Sequence, residues 1–384
     1  MPKTLTILSL ISSEGYYGAE SMLVTLAQNL CQLGCRCVVG VFSNPRSPHT
    51  DVANHARRRG LIVETVSCRG RVDWNTVRQI RNLLLRHNAD ILHPHGYKAD
   101  LYAYTAAWPN RAALVATIHN WPSKRLSMRA YAVLDRLVLR RFDKVIGVSE
   151  GPSNILRHSG VAPIKISTIF NGVDIGRFGL AEPTLRKEIA PDGDLLVGFV
   201  GRLVRDKGGT LLLRAAQQVL AVRPKTVFVF VGEGPARKEW EALAKQLGIG
   251  KQVVFAGVRE DMPGVYASLD MLVLPSLIES MPMCLLEAMA AGKPVIATRV
   301  GAVSQLIRSE QFGLLLEPGD VGGLALAILR LLGDPQLACR LGKNGRARVA
   351  EHFSAEAMAR NYIRQYQQVL ASKVALGLHL PCQE

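Results

Sequence analysis

The sequence predicts an α/β protein made of two tandem Rossmann-like domains. The chain has 384 residues, and at about 150 residues per domain this length accommodates two domains with separate cores. Short β-branched or leucine-rich runs alternate with stretches of helical periodicity, and the alternation begins again after residue 180. Such alternation is typical of parallel sheets with helices on both faces.

The first series of elements starts close to the N-terminus. Its predicted strands are Leu5–Leu10, Arg36–Val41, Ile62–Val66, Ile91–His93, Leu114–Ile118 and Lys144–Val148. Its predicted helices include Ala19–Leu33 and Trp74–His87, where apolar residues recur at helical spacing. We interpret Leu5–Leu10 as a strand and not as a signal peptide, because its apolar core is short and no A-x-A site follows it.

The second series repeats the pattern. Its predicted strands are Leu195–Val200, Thr226–Val231, Val253–Ala256, Met271–Leu274 and Pro294–Thr298. Its predicted helices include Gly209–Val222, Ala236–Leu247 and Pro282–Ala291. A last helix is predicted at about Ala355–Leu370, and it could pack on either domain.

The Gly- and Pro-containing segment Phe178–Pro183 separates the two series and is predicted to link the domains. We expect an N-terminal domain over residues 1–178, a C-terminal domain over 179–354, and a final helix with a tail over 355–384. Ligands of open parallel sheets bind outside the carboxyl ends of the strands. The natural site is therefore a cleft across which the two domains face each other.

The composition is that of a globular protein, with an unusual excess of positive charge. Hydrophobic residues at 48% and charged residues at 20% exclude a disordered, collagen-like or coiled-coil chain. The net charge is +16, and residues 1–178 hold 23 Lys+Arg against 11 Asp+Glu, a net of +12. A basic surface suits nucleic acid, an anionic membrane or a phosphorylated substrate, and composition alone does not choose among them.

The cysteines and the apolar runs exclude several classes of protein. Seven cysteines without paired spacing predict reduced thiols, buried or half-buried, in a cytosolic protein rather than a disulfide framework. Cys31, Cys35 and Cys37 cluster, but no later Cys/His pair completes a zinc site. No apolar run approaches the ~18 residues that a membrane-spanning helix needs.

Two strand-to-helix turns are suited to phosphate. Gly18 precedes a predicted helix, whose free N–H groups and positive dipole end favour an anion, although glycine is common in such turns for steric reasons alone. The corresponding turn of the second series adds charge, with Gly201, Arg202 and Lys207 in sequence. A guanidinium fork and an ammonium suit a diphosphate, while the alternative is a solvated charged loop.

A third motif places two carboxylates near the start of one predicted helix. Ser280 is predicted to cap a helix whose first turn holds Pro282, with Glu279 in the preceding loop and Glu287 more than one turn inside. The pair could serve acid–base chemistry. We favour separate roles, with Glu279 beside the ligand and Glu287 accepting hydrogen bonds from a diol such as ribose.

The order of these motifs resembles that of family 4 glycosyltransferases. In chain order the motifs are Gly18-Ala19-Glu20, Asn171-Gly172-Val173-Asp174, Gly201-Arg202…Lys207-Gly208, Gly232-Glu233-Gly234 and Glu279-x7-Glu287, the last followed by Ala-Met-Ala-Ala-Gly-Lys-Pro. The resemblance extends from about residue 5 to residue 370. Any one of these motifs is a weak indicator of the family, but the E-x7-E unit with the segment that follows it is specific, and so is the ordered set.

The resemblance implies a fold and a reaction. Enzymes of this family have the GT-B fold, in which the last helix crosses back to the first domain. They transfer a sugar from a nucleotide-sugar donor with retention of anomeric configuration and without a metal. Retention is attributed to front-face attack, in which the departing phosphate accepts the proton of the acceptor, so that no enzymic nucleophile is needed, unlike in retaining glycosidases.

The resemblance also implies roles for individual residues. Arg202 and Lys207 match the pair that contacts the donor diphosphate, Glu287 the ribose ligand, and Glu279 the carboxylate beside the donor sugar. His119, after a first-domain strand, matches a histidine near the sugar and the leaving phosphate. The implied catalytic residues are His119, Glu279, Arg202 and Lys207, and the implied donor site consists of Gly18, Gly201, Arg202, Lys207, Glu279, Ser280, Met281 and Glu287.

Two positions depart from the family pattern. Tyr17 stands where many relatives have the first of two glycines, so a bulky side chain occupies a position at which the backbone would approach phosphate or acceptor. Ser280 follows Glu279 where many relatives have glycine, but its N–H can still bind a sugar hydroxyl.

The segment Trp121–Arg141 carries basic residues interleaved with apolar ones. One interpretation is a helix on a membrane surface that contacts anionic lipid and a lipid-linked acceptor. The alternative is a helix that packs on the core and has a solvated basic face. The candidate acceptor or membrane residues are Lys98, Arg125, Arg129, Arg136 and Arg140.

The sequence therefore predicts a retaining glycosyltransferase that moves a sugar from a nucleotide sugar to a glycan or lipid-linked acceptor in envelope or extracellular polysaccharide synthesis. No cofactor, metal or nucleic-acid partner is expected. A non-hydrolysing nucleotide-sugar epimerase of the same architecture is the first alternative, and a basic nucleic-acid-binding protein is the second. We expect a cytoplasmic protein, with peripheral contact to the inner face of the membrane left open.

Overall fold

A computed structural model describes residues 4–13, 15–44, 48–49, 51–70, 73–107, 112–119, 126–179, 181–190 and 193–376. Within helix residues 126–131, only the backbone is described. The chain forms two compact units, one of residues 1–172 with 355–384 and one of residues 173–354. The first boundary follows Gly172, ahead of the predicted linker, because Val173 bridges to Ser354 and Phe178 packs its ring against Tyr266 in the second unit.

Unit 1 is a seven-stranded parallel sheet with strand order β3-β2-β1-β4-β5-β6-β7. The strands are β1 (Thr6–Ile11), β2 (Arg36–Ser43), β3 (Ile62–Ser67), β4 (Ile91–His95), β5 (Ala113–Ile118), β6 (Lys144–Gly147) and β7 (Ile166–Thr168). The helices are α1 (Gly18–Gln32), α2 (Asp51–Arg58), α3 (Trp74–His87), α4 (Tyr97–Ala107), α5 (Leu126–Leu139) and α6 (Glu150–His158), joined by the C-terminal α16 (Ala355–Ala375). Both strands next to β1 run parallel to it, so the carboxyl ends of β1, β4 and β5 share one edge.

Unit 2 is a six-stranded parallel sheet with strand order β10-β9-β8-β11-β12-β13. The strands are β8 (Leu195–Val200), β9 (Thr226–Val231), β10 (Val253–Gly257), β11 (Met271–Leu274), β12 (Val295–Thr298) and β13 (Leu314–Leu316). The helices are α7 (Ile175–Gly179), α8 (Arg186–Ile189), α9 (Gly209–Val222), α10 (Arg237–Gln246), α11 (Met262–Ser268), α12 (Met283–Ala290), α13 (Val303–Leu306), α14 (Val321–Gly333) and α15 (Pro335–His352). The core includes Phe199, Phe230 and Trp240, whose rings lie 5.2–5.9 Å apart.

The predicted strands are all present, with ends displaced by no more than two residues. Continuous apolar runs such as Thr226–Val231 are buried along their whole length, as expected for strands covered on both faces. Two strands, β7 and β13, were not predicted; each has three residues and lies at the outer edge of its sheet.

The last helix, α16, belongs to unit 1, where it packs against α1 and β5. Its tyrosines Tyr362 and Tyr366 are fully buried, which explains the aromatic residues of this segment. Lys373 near its end forms an ion pair with Asp143 at 3.0 Å. The helix is therefore an integral part of the first unit, although the whole second unit precedes it in the chain.

The cysteines differ in part from the prediction. Cys37 and Cys68 are buried and Cys35 and Cys284 are half-buried, but Cys31 and Cys339 are exposed. Cys31 lies in α1 and Cys339 in α15, each on the solvent side of its helix. Cys382 lies outside the described residues.

A helix needs about 20 predominantly apolar residues to cross a bilayer, and the described helices differ in how closely they approach this requirement. None of them is, by itself, long and apolar enough to cross a membrane, and only α14 with α15, joined at a bend of 101°, reaches the required length and composition.

Candidate functional site

The turn after β8 presents Lys207 at the start of α9. Gly208 stands between them with φ of 73°, a left-handed conformation that glycine adopts without strain. A Cβ at this position would collide with the carbonyl oxygen of Pro275, so the close approach of the two loops also requires glycine. The first N–H groups of α9 follow directly, and they give this edge of the sheet a positive potential.

Lys207 forms an ion pair with Glu279 across the neighbouring loop. Its Nζ donates to Oε1 of Glu279 at 2.5 Å, and the side chains are 24% and 7% exposed. The hydroxyl of Ser276 donates to the same carboxylate oxygen at 2.8 Å. Burial by itself disfavours the charged lysine, but the interactions with Glu279, Cys284 and Asp206 together outweigh this effect and raise the pKa of Lys207.

Backbone contacts hold the Glu279 loop in place. The N–H of Leu277 donates to the carbonyl of Asp206 at 2.8 Å, next to Lys207. On the other side, the N–H of Ala302 donates to the carbonyl of Ser280 at 3.0 Å. Gly301, with φ of 51°, passes so close to the Glu279 carbonyl that a Cβ would collide with it. The carboxylate is thus held by the loops that follow β8, β11 and β12.

Ser280 does not cap α12, so that prediction is wrong. The helix begins at Met283, and Pro282 occupies the N-cap position in an extended conformation, which Pro favours. The backbone of Ser280 instead pairs with Ala302, two residues before the cap. Met281 beside it is buried, at 6% exposure.

Glu287 lies inside α12 and accepts a hydrogen bond from a buried tyrosine. The hydroxyl of Tyr266 on α11 donates to Oε2 of Glu287 at 2.8 Å. Burial and the nearby carboxylate raise the pKa of Tyr266 well above its ordinary value, so the hydroxyl keeps its proton. Between the two glutamates along the chain lies Cys284, and burial raises the pKa of its thiol to about 12.

Gly201 and Arg202 follow β8 directly. The N–H of Gly201 donates to the carbonyl of Val231 at 3.0 Å, which joins the ends of β8 and β9. Arg202 is exposed. A groove of about 390 Å³ opens beside the same turn, lined by Val204, Arg205, Asp206, Pro235, Ala236 and Glu239.

In unit 1, His119 follows β5 and hydrogen-bonds to a second histidine. Its Nε2 lies 3.1 Å from Nδ1 of His95, the last residue of β4. His95 and Thr117 are register partners, so the alternation of strand side chains puts His93, His95, Thr117 and His119 on one face of the sheet. Burial lowers the pKa of His119 to about 4, so this imidazole is neutral at pH 7.

The remaining unit 1 residues lie on separate elements. Gly18 is the first residue of α1, where the backbone N–H of Tyr17 donates to Glu20 at 3.0 Å. The Lys98 ammonium lies 5.8 Å from the ring centroid of Phe42. The Lys98 ammonium thus has an aromatic neighbour within its own unit.

The basic helix α5 is described only in part. Arg125 and the side chain of Arg129 lie outside the described residues. Arg136 is half-buried, and Arg140 donates through Nε and Nη2 to the carbonyl of Ser159 at 2.9 and 2.7 Å. Arg140 therefore anchors the end of α6, a role that the sequence analysis did not predict.

The structure brings Lys207, Glu279 and the start of α9 together in unit 2, as a single carboxyl-edge site. Sequence reasoning missed Ser276 and Tyr266, the side chains that orient Glu279 and Glu287. It also missed His95, although two histidines spaced two residues apart at the end of a predicted strand are visible in the sequence. Within the described ranges, no three Asp, Glu, His or Cys side chains converge in a way that could hold a metal ion.

Two family models match the chain and together cover most of it. The model described as Glycosyltransferase Family 4 matches residues 16–177, and the model described as Glycosyl transferases group 1 matches residues 182–348. The first match falls almost entirely within unit 1 and the second within unit 2.

Curated relatives and a solved structure agree with these matches. The N-acetyl-alpha-D-glucosaminyl L-malate synthase of Bacillus anthracis is 32% identical over 74% of this chain and 76% of its own length. The UDP-Gal:alpha-D-GlcNAc-diphosphoundecaprenol alpha-1,3-galactosyltransferase of Escherichia coli is 28% identical over 73% and 76%. The Anabaena HepE protein, solved in complex with UDP-glucose, has a TM-score of 0.82 at 24% identity and covers 96% of this chain and 100% of its own.

These comparisons confirm the predicted GT-B fold and give no support to the epimerase alternative. The chain belongs to the family 4 glycosyltransferases.

Proposed function

We propose that this glycosyltransferase moves a sugar from a nucleoside diphosphate sugar to a glycan or lipid-linked acceptor, with retention and without a metal. The observation that carries the proposal is the Lys207–Glu279 pair beside the first N–H groups of α9. A departing diphosphate gains negative charge, and a fixed ammonium beside a helix N-terminus stabilises that charge without reorganisation.

Lys207 is suited to this role because its charge is maintained before the donor binds. Glu279 compensates the ammonium within a largely buried site and raises the pKa of Lys207. An ammonium has three N–H donors, so Lys207 can contact a phosphate oxygen while it keeps its bond to Glu279. Exposed Arg202 supplies a second cation from the same turn.

Glu287 is proposed to bind the ribose. The bond from Tyr266 fixes the orientation of the carboxylate, so the carboxylate accepts from a diol without first reorganising. Glu279 is proposed to lie beside the donor sugar, with Gly18, Gly201, Ser280 and Met281 as further donor-binding positions. His119, neutral at pH 7, is proposed to contact the sugar or its phosphate.

The proposed transfer is a front-face substitution at the anomeric carbon. The bond from this carbon to the phosphate oxygen breaks, and the bond to the acceptor oxygen forms on the same face. The acceptor proton passes to the departing phosphate, so no carboxylate nucleophile takes part. In this scheme Lys207 and Arg202 supply the charge stabilisation that a divalent cation provides in other transferases.

The enzyme is proposed to bind its acceptor at the inner face of the membrane. Three apolar side chains of α5, Val133, Leu134 and Leu137, are 48–55% exposed, whereas Ala132, Asp135, Val138 and Leu139 on the same helix are buried. These exposed apolar side chains could insert into the lipid, and the basic residues of the same half of the chain would be attracted to anionic headgroups. The E. coli relative, whose named acceptor is linked to diphosphoundecaprenol, supports a lipid-linked acceptor here.

A thermal-shift screen tests the donor assignment. Purified protein is melted with UDP, GDP, ADP and their glucose derivatives, with adenosine and a DNA duplex as controls. A ligand at 100 times its Kd adds about 2.7 kcal/mol to the free energy of unfolding. Stabilisation by at least one nucleoside diphosphate or its sugar is expected, and stabilisation by DNA alone would contradict the proposal.

A further inference from the structure

A line of buried polar side chains lies on one face of the unit 1 sheet, beneath α16. His93 and His95 alternate along β4, Thr117 is on β5, and His119 follows it. His93 and Thr117 are fully buried and His95 is 4% exposed, in strands that are otherwise almost entirely apolar. Burying a polar group costs free energy unless the group is hydrogen-bonded, so the hydrogen bonds of these side chains determine whether the line is stable.

The inner part of the line is fixed by the C-terminal helix. The hydroxyl of Tyr366 lies 2.7 Å from Nδ1 of His93, and Nε2 of His93 lies 2.8 Å from Oγ1 of Thr117. Oγ1 of Thr117 is in turn 3.0 Å from the hydroxyl of Tyr362. Both nitrogens of His93 are thus occupied, and α16 determines the orientation of its ring.

The outer part consists of His95 and His119. The ring of His95 packs on that of His93 at 4.3 Å between centroids, so the fixed inner ring limits its rotation. Its Nδ1 faces Nε2 of His119 at 3.1 Å, while its Nε2 is buried without a hydrogen-bond partner within the described part of the chain. Burial lowers the pKa of both imidazoles, so both are neutral at pH 7.

Two neutral imidazoles share one proton in this bond, which leaves two arrangements. If His119 donates from Nε2, the proton of His95 must lie on its own Nε2, as a buried N–H without an acceptor. If His95 donates from Nδ1, its Nε2 is a bare lone pair, and the proton of His119 lies on Nδ1. Orphaned N–H groups are rarer in protein interiors than under-used acceptors, so the second arrangement is favoured.

We infer that His95 is a positioning residue that holds His119 in its Nδ1–H form, so that His119 presents a hydrogen-bond donor to the donor substrate. The inference rests on the proposed function for the role of His119, but the proton position itself does not. An Nδ1–H group can stabilise an oxygen of the sugar or of the leaving phosphate. It cannot act as a base toward the acceptor, which agrees with proton transfer to the departing phosphate.

The direct test is nitrogen NMR of the full chain labelled with ¹⁵N-histidine at pH 7. The chain has nine histidines, and the signals of His119 are identified by their loss in His119→Gln. Protonated and bare ring nitrogens resonate far apart, so the pattern reports the tautomer. A protonated Nδ1 with a bare Nε2 is expected for His119. A protonated Nε2, or a doubly protonated ring, would overturn the inference.

A matched pair of variants tests the positioning role. His95→Asn retains an N–H near the position of Nδ1 and is expected to keep the His119 tautomer and turnover within about threefold of wild type. His95→Leu removes the donor, and we expect a mixed His119 tautomer and about tenfold lower kcat, with little change in donor KM. A single, unchanged tautomer in His95→Leu would contradict the role of His95.

The two claims fail in different ways. If the wild-type protein turns over no nucleotide sugar, the proposed function fails, while the NMR pattern still reports the proton position. If turnover is observed and the pattern shows a bare Nδ1, the inference fails and the proposed function stands.

Discussion

Replacing Lys207 by alanine should separate two consequences of one buried ion pair. The first concerns the reaction, because the variant loses the cation that faces the leaving diphosphate. We expect kcat/KM to fall at least a hundredfold, equivalent to about 2.7 kcal/mol of transition-state stabilisation. The adjacent Arg205 is the matched control, since its side chain is 81% exposed and pairs with Glu239. Arg205→Ala should change kcat/KM by less than about threefold.

The second consequence concerns stability. Glu279 is 7% exposed, and when the bond from Lys207 is lost its carboxylate retains the weaker, uncharged hydrogen bond from the hydroxyl of Ser276. Breaking a fully buried pair costs about 3–5 kcal/mol, and since Lys207 is 24% exposed we expect about 2 kcal/mol. For a unit of this size the Tm should fall by roughly 4–8 °C.

A double variant distinguishes the two effects. Lys207→Met with Glu279→Gln removes both charges and should recover most of the lost Tm, because no unpaired charge remains buried. It should remain inactive, since neither charge is available at the diphosphate. Activity is read as release of nucleoside diphosphate and stability by thermal melting. Unchanged turnover in Lys207→Ala would refute the assignment of Lys207 to the diphosphate. An unchanged Tm would refute the free-energy cost given above for breaking the ion pair.

Three further predictions concern other sites. Glu287→Gln should raise donor KM about tenfold with a smaller effect on kcat, since a charged acceptor is lost at the ribose; wild-type affinity for UDP in calorimetry would argue against that role. The hydrogen bond from Cys37 lowers the pKa of Cys31 to about 6. At pH 7, iodoacetamide should therefore alkylate Cys31 roughly tenfold faster than Cys339, which is also exposed. Equal alkylation rates of the two cysteines by mass spectrometry would disprove this. Leu137→Ser on α5 should weaken binding to vesicles that contain phosphatidylglycerol, whereas Leu326→Ser on α14 should not, although Leu326 is 69% exposed and Leu137 only 49%; equal binding of both variants would contradict membrane contact through α5.

Much of the fold could be predicted because the relevant signals are local. Thr226–Val231 is a continuous β-branched and aromatic run bounded by breakers, and its limits in the structure are those predicted. β7 and β13 were not predicted because a strand of three residues at the edge of a sheet has too few side chains to form a recognisable pattern. The position of α16 could be inferred only from the family resemblance, since helical periodicity does not specify the partner of a helix.

The site was predictable in its residue types but not in its contacts. Lys207 and Glu279 could be named from motif spacing, whereas their ion pair depends on two loops whose approach is permitted by Gly208. Tyr266 precedes Glu287 by 21 residues, and no local pattern connects them. The error at Ser280 had a local cause, because a serine shortly before Pro282 resembles a cap when the backbone contact of the loop is unknown.

The central claim is sugar transfer with retention and without a metal, and one measurement tests it most directly. The protein is incubated with UDP-α-glucose, or with the donor that gives the largest thermal shift, in EDTA, and water serves as the acceptor in slow hydrolysis. Proton NMR then identifies the free hexose before its anomers equilibrate. The account predicts that the α-anomer appears first, with an equal amount of nucleoside diphosphate. First appearance of the β-anomer, or release that EDTA abolishes, would contradict it.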